Sequence, residues 1–125
     1  MTDPAILAIC VDESLYFANA RFLEDRIYDE VSKQPKLQHV VLLCSAVNAI
    51  DMSALESLES INERLKAGGV TFHFSEVKGP VMDYLNATGF LEILSGEVFL
   101  SQHRAQFALR GGALIGKRSP GLTRG

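Results

Sequence analysis

Short aliphatic runs alternate along this chain with longer stretches whose apolar residues recur every three or four positions. Residues 5–11 are the first run; the polar break Asp12-Glu13-Ser14 bounds it, and it reads as a buried strand. Leu15-Tyr16-Phe17-Ala18 reads as a second, shorter strand. Asn19 then suits a helix N-cap, because its side-chain oxygen can accept from the free N–H groups of a first turn. Leu23, Ile27 and Val31 follow at four-residue spacing with Ala20 and Phe22 beside them, while Glu24, Asp25, Asp29 and Glu30 take the other faces. That is an amphipathic helix, stopped near Gln34-Pro35.

His39-Val40-Val41-Leu42-Leu43-Cys44 is continuous enough to be a strand covered on both faces. After a loop over residues 45–50, Leu55, Leu58, Ile61 and Leu65 mark the stripe of a second helix, which Gly68-Gly69 ends. Residues 70–75 read as a third buried strand. Gly79-Pro80 opens a short helix through Val81, Met82 and Leu85; a left-handed Gly89 after it would bring Leu85 and Phe90 together to close the cap. Residues 98–100 read as a last strand, and Ser101 as the cap of a final helix over 102–109. This order predicts an α/β fold with a mostly parallel central sheet of about five strands and four to five helices. Residues 1–110 form one domain; residues 111–125, rich in glycine and without apolar period, read as a flexible basic tail.

A length of 125 residues with 47% apolar and 22% charged side chains is ordinary for a domain with a single core. No apolar run approaches the ~20 residues of a membrane helix. Met1-Thr2-Asp3-Pro4 has neither the basic start nor the apolar stretch of a signal peptide. The sequence therefore predicts a soluble, non-secreted chain, compatible with the water-soluble piece of a larger membrane protein. The net charge of −3 is uneven: residues 1–103 carry −8, and Arg104, Arg110, Lys117, Arg118 and Arg124 follow with no acid among them. An acidic body argues against nucleic acid as a partner. Cys10 and Cys44, both in aliphatic runs, read as buried, reduced thiols.

His39, His73 and His103 fall on separate elements without metal-ligand spacing, and His39 and His73, in or beside predicted strands, read as structural. No dinucleotide fingerprint, phosphate loop or nucleophile elbow is present, so the sequence predicts no enzyme, no cofactor and no metal. One stretch has the physics of a site. Ser45, Asn48 and Asp51 lie between a strand end and a helix start, where open α/β sheets form ligand crevices. The helix beginning near Asp51 and Ser53 directs free N–H groups outward, making Ser53 a candidate phosphoryl acceptor or part of an anion site. The structural reading is preferred: Ser53-Ala54-Leu55-Glu56 spells a capping box, and Asp51 alone would also serve as an N-cap. Lys78-Gly79-Pro80 is a weaker helix start of the same kind.

Taken together, these stretches resemble a known family. Ile50-Asp51-Met52-Ser53-Ala54-Leu55, after an aliphatic strand, is similar to the Asp-Ser-Ser-Gly-Leu region of STAS domains, which comprise anti-sigma-factor antagonists and the cytoplasmic C-terminal domains of sulfate permeases. Leu15-Tyr16-Phe17-Ala18-Asn19-Ala20 resembles the Leu-x-Phe-x-Asn-Ala opening of the permease branch, and residues 76–83 and 96–101 continue that likeness. Two positions depart from it: Leu43 stands where many STAS strands end in aspartate, and Ala54 replaces the glycine after the switch serine.

The resemblance implies a STAS-like fold in the regulatory domain of a secondary anion transporter, at the cytoplasmic face of a bacterial inner membrane. Its partners would be the transmembrane domain of the same transporter, a second protomer in the full-length protein, and a nucleotide or protein regulator. The alternative it leaves open is a stand-alone partner-switching antagonist phosphorylated at Ser53.

Overall fold

A computed structural model describes residues 5–109. The chain runs β1 (Ile6–Cys10), α1 (Phe17–Lys33), β2 (His39–Leu43), α2 (Met52–Ala67), β3 (Thr71–Ser75), α3 (Gly79–Ala87), α4 (Phe90–Ile93), β4 (Val98–Phe99) and α5 (Gln102–Phe107). The strands pair in parallel in the order β1-β2-β3-β4, with Ile6 opposite His39, Val41 opposite His73 and Ser75 opposite Phe99. Sequential order has a direct consequence. Parallel crossovers are right-handed, so every helix between successive strands must land on the same face of the sheet.

That inner face holds the main core. Ile9, Val40, Leu42, Phe72 and Phe74 from the strands meet Ala20, Leu23 and Ile27 of α1, Leu55, Leu58, Ile61 and Leu65 of α2, and Val81 and Leu85 of α3. Phe90 closes it, edge-on to Phe74 with ring centroids 5.7 Å apart. The outer face is left to the chain after β4. There Ala105 of α5, with Ala108 and Leu109 behind it, packs on Ile6, Val41 and Phe99.

Helix ends follow the predicted glycines. Gly69 takes φ +82°, and the N–H of Val70 donates to Leu65 while that of Gly69 donates to Lys66, the paired bonds of a Schellman cap. Gly89 also has φ +82°, with Leu85 and Phe90 both fully buried beside it. Ser101 caps α5 by accepting from the N–H of Arg104 at 3.1 Å.

Several expectations need correction. Residues 15–18 are not a strand: Leu15 makes a single bridge to Ile50, and α1 already begins at Phe17. A four-residue apolar run cannot by itself separate a strand from a first helical turn. The sheet therefore has four strands among the described residues, not about five. Asn19 is not the N-cap but the third residue of α1. Its Oδ1 accepts from the N–H of Tyr16 at 2.7 Å and its Nδ2 donates to the Ser14 carbonyl at 2.7 Å, clamping the helix start from inside. Phe22 lies outside the core, 77% exposed. Cys44 is buried, as expected, but Cys10 is exposed, because it points to the outer face beyond the reach of α5. The tail at 111–125 lies outside the described residues.

Candidate functional site

The loops at the C-terminal ends of β1 and β2 are joined. The Ser14 hydroxyl accepts from the N–H groups of Asn48 and Ala49 at 3.0 and 3.1 Å. The N–H of Leu15 donates to Ala49, and that of Asp51 donates to Leu15. Buried Val47 anchors the loop from below through a turn to Cys44. From the third loop, the Lys78 ammonium donates to Asn48 Oδ1 at 2.7 Å. Asn48, Asp51 and Lys78 thus belong to one constellation, with Ser45 exposed beside it.

Ligand crevices in α/β sheets commonly form where strand order reverses, and the order β1-β2-β3-β4 has no reversal. A shallow cleft of about 210 Å³ does lie at the C-terminal end of β1, lined by Cys10, Val11, Asp12 and Asn19 among others. Glu76, at φ +56°, is the one described non-glycine residue with positive φ, and it turns the chain between β3 and Lys78.

At the start of α2, Asp51 is the cap: its Oδ1 accepts from the N–H of Ala54 at 2.8 Å. The capping box expected of Ser53 and Glu56 is therefore not formed. Asp51 is the residue with extended backbone (φ −87°, ψ 172°), while Ser53 is already the second residue of the helix. Ser53 is half-buried and lines a groove of about 450 Å³ between α1 and α2, together with Arg21, Glu24, Tyr28 and Arg64. The Arg64 guanidinium lies 4.0 Å over the Tyr28 ring, and the Tyr28 hydroxyl donates to Glu24 at 3.2 Å. Burial, with the Glu24 carboxylate beside it, pushes the Tyr28 phenol up to about 12.

The thiols are held protonated at neutral pH. The hydrogen bond from Cys10 to Asp12 raises the first, and burial pushes Cys44 up to about 12. His39 and His73, expected to stand apart, are in contact: Nδ1 of His39 lies 3.1 Å from Nε2 of His73. The side chain of His103 lies outside the described residues. Sequence reasoning also missed Asn62, fully buried on α2, whose amide holds the turn before β4 by donating to the Ile93 carbonyl and accepting from the N–H of Ser95. A polar residue within an apolar helical stripe was the available signal.

A small parallel sheet with helices on one face, one more helix behind it, and loops tied together at the strand ends defines a small α/β domain. The chain belongs to the STAS domain family, whose profile matches residues 2–105. It is 32% identical over 106 residues to Sulfate transporter 3.2 of Arabidopsis thaliana, a match covering 78% of this chain and 16% of that protein. The same fold is seen in the STAS domain of a SulP transporter from Vibrio cholerae, with TM-score 0.75, 18% identity, and 92% of this chain and 88% of that one covered. A candidate anti-sigma factor antagonist from Thermotoga maritima is alike at TM-score 0.76 and 20% identity, covering 88% of this chain and 91% of that one. No helix among the described residues is long and apolar enough to cross a membrane.

Proposed function

We propose that this chain is the cytoplasmic regulatory and assembly domain of a sulfate-permease-type secondary anion transporter, and that it is not an enzyme. One observation carries the reading: the chain aligns with a 16% slice of proteins named as sulfate transporters. On this reading residues 1–110 are the domain, residues 111–125 a basic extension, and the remainder of the protein lies in the membrane. The loop surface of Ser45, Asn48 and Asp51 supports it, because hydrogen bonds between loops make a firm docking platform. That platform would meet the transmembrane domain, with a second protomer and a nucleotide or protein regulator as further partners. Deleting residues 5–109 from the full-length protein should then reduce anion uptake by intact cells while the membrane part is still inserted. Undiminished uptake would overturn the reading.

A second reading has its own observation. Ser53 sits in the first turn of α2, where the helix dipole favours a phosphate, and Arg21 lines the same groove. That suits an antagonist switched by phosphorylation. Stoichiometric phosphate on Ser53 after incubation with the cognate kinase, with partner binding lost in Ser53→Ala, would establish it. An unmodified Ser53 under those conditions would remove it.

A further inference from the structure

The outer face of the sheet contains a chain of hydrogen bonds whose protons have one consistent arrangement. His73 Nδ1 accepts from the backbone N–H of Glu97 at 3.1 Å. A ring nitrogen that accepts carries no proton, so neutral His73 must hold its proton on Nε2. That Nε2 faces His39 Nδ1 at 3.1 Å, so it donates there, and His39 keeps its own proton on Nε2.

We propose that this histidine pair is an acid-sensitive latch that fastens the turn before β4, and with it α5, to the sheet. A proton added to His39 would place an N–H on Nδ1, opposite the N–H already on His73. His73 cannot yield by changing tautomer, because its other nitrogen would then present a proton to the N–H of Glu97. Either His39 swings away and strands a donor on a side chain only 4% exposed, or the turn at 95–97 lets go.

The surroundings make the latch matter. β4 pairs with β3 through only two residue pairs, Phe74 with Val98 and Ser75 with Phe99. The Phe99 ring packs against His73 with centroids 5.6 Å apart. Besides burial, the one described charge acting on His73 is that of His39 on β2, and the two together hold His73 down to about 3. Among the described side chains, the charged residues of the flanking elements are Glu97 in the turn, half-buried, and Arg104 on α5, exposed; α5 turns Ala105 inward and also carries the titratable His103, whose side chain lies outside the described residues.

Nitrogen-15 spectra of the histidine rings and amide exchange of the intact chain test the proposal. At pH 7.5 both rings should be in the Nε2–H tautomer. Between pH 7.5 and 5.5 the protection of the Glu97 amide, corrected for intrinsic exchange, should fall about tenfold, the factor that one pH unit below the ordinary histidine pKa of about 6.5 supplies. In His39→Gln, whose amide oxygen can still accept but does not titrate, protection should stay level over that range. A proton found on Nδ1 of His73, or an equal fall in His39→Gln, would overturn the latch. Should that variant fail to fold, the tautomers of the native chain still decide.

Discussion

The two faces of the sheet are held by different physics. On the inner face every strand residue pointing toward α1, α2 and α3 is apolar, and burial is the main source of its cohesion. On the outer face His39, Thr71, His73 and Ser75 share space with Ile6, Val41 and Phe99, and one six-residue helix covers them in part. The crossover rule dictates this division, since helices placed between sequential parallel strands cannot reach the outer face. The first face tolerates approximation as long as volume is filled; the second depends on individual hydrogen bonds and on close approach.

Truncating the inner face should have the largest effect. Phe72→Ala removes a fully buried ring that packs 5.0 Å from Phe74, and should cost about 3–5 kcal/mol by urea unfolding. A loss below about 1 kcal/mol would mean the inner core is looser than described.

Next comes a change of one methyl group on the outer side. A Cβ on Gly96 would lie 2.3 Å from the Phe72 carbonyl oxygen and 2.4 Å from His73 Nδ1, so Gly96→Ala should destabilise by about 3 kcal/mol. A neutral result would show that the turn at 95–97 is not pinned against β3.

Acid should separate the faces further. His73 has a pKa of about 3 in the folded chain, below the ordinary value of 6.5. The unfolded chain therefore binds more protons between those values. The contribution of His73 is fully present above pH 6.5 and is lost as pH falls toward 3, about 2 kcal/mol of it by pH 5. Comparing stability against pH for the native chain and His73→Gln isolates this; identical slopes between pH 6.5 and 4 would contradict it.

The smallest effect concerns which residue caps α2. Asp51→Ala should cost about 1 kcal/mol, and Ser53→Ala less than about 0.5 kcal/mol. The reverse order would restore the capping box that the sequence suggested.

The inner face was largely legible in the sequence because its signals are periodic. The stripe Leu55, Leu58, Ile61, Leu65 and the run through β2 appear in the structure as read, and glycine at 69 and 89 marked helix ends through a backbone conformation other residues adopt at a cost. The outer face was not legible, because its pairings join residues 24 and 34 positions apart and carry no local pattern. Helix starts were read to within a turn only. Asp51 and Ser53, like Tyr16 and Asn19, offer competing caps, and the tertiary position of the preceding loop decides between them. The candidate site was half legible: the sequence marked Asn48 and Asp51, while their connection to Ser14 and Lys78 needed three loops brought together.

Whether this domain works beneath a membrane transporter is tested most directly by reading the native transcript upstream of Met1. An open frame continuous with this segment and encoding several apolar stretches of about 20 residues is the expected result. An in-frame stop codon just ahead of Met1, with no such stretches, would contradict it.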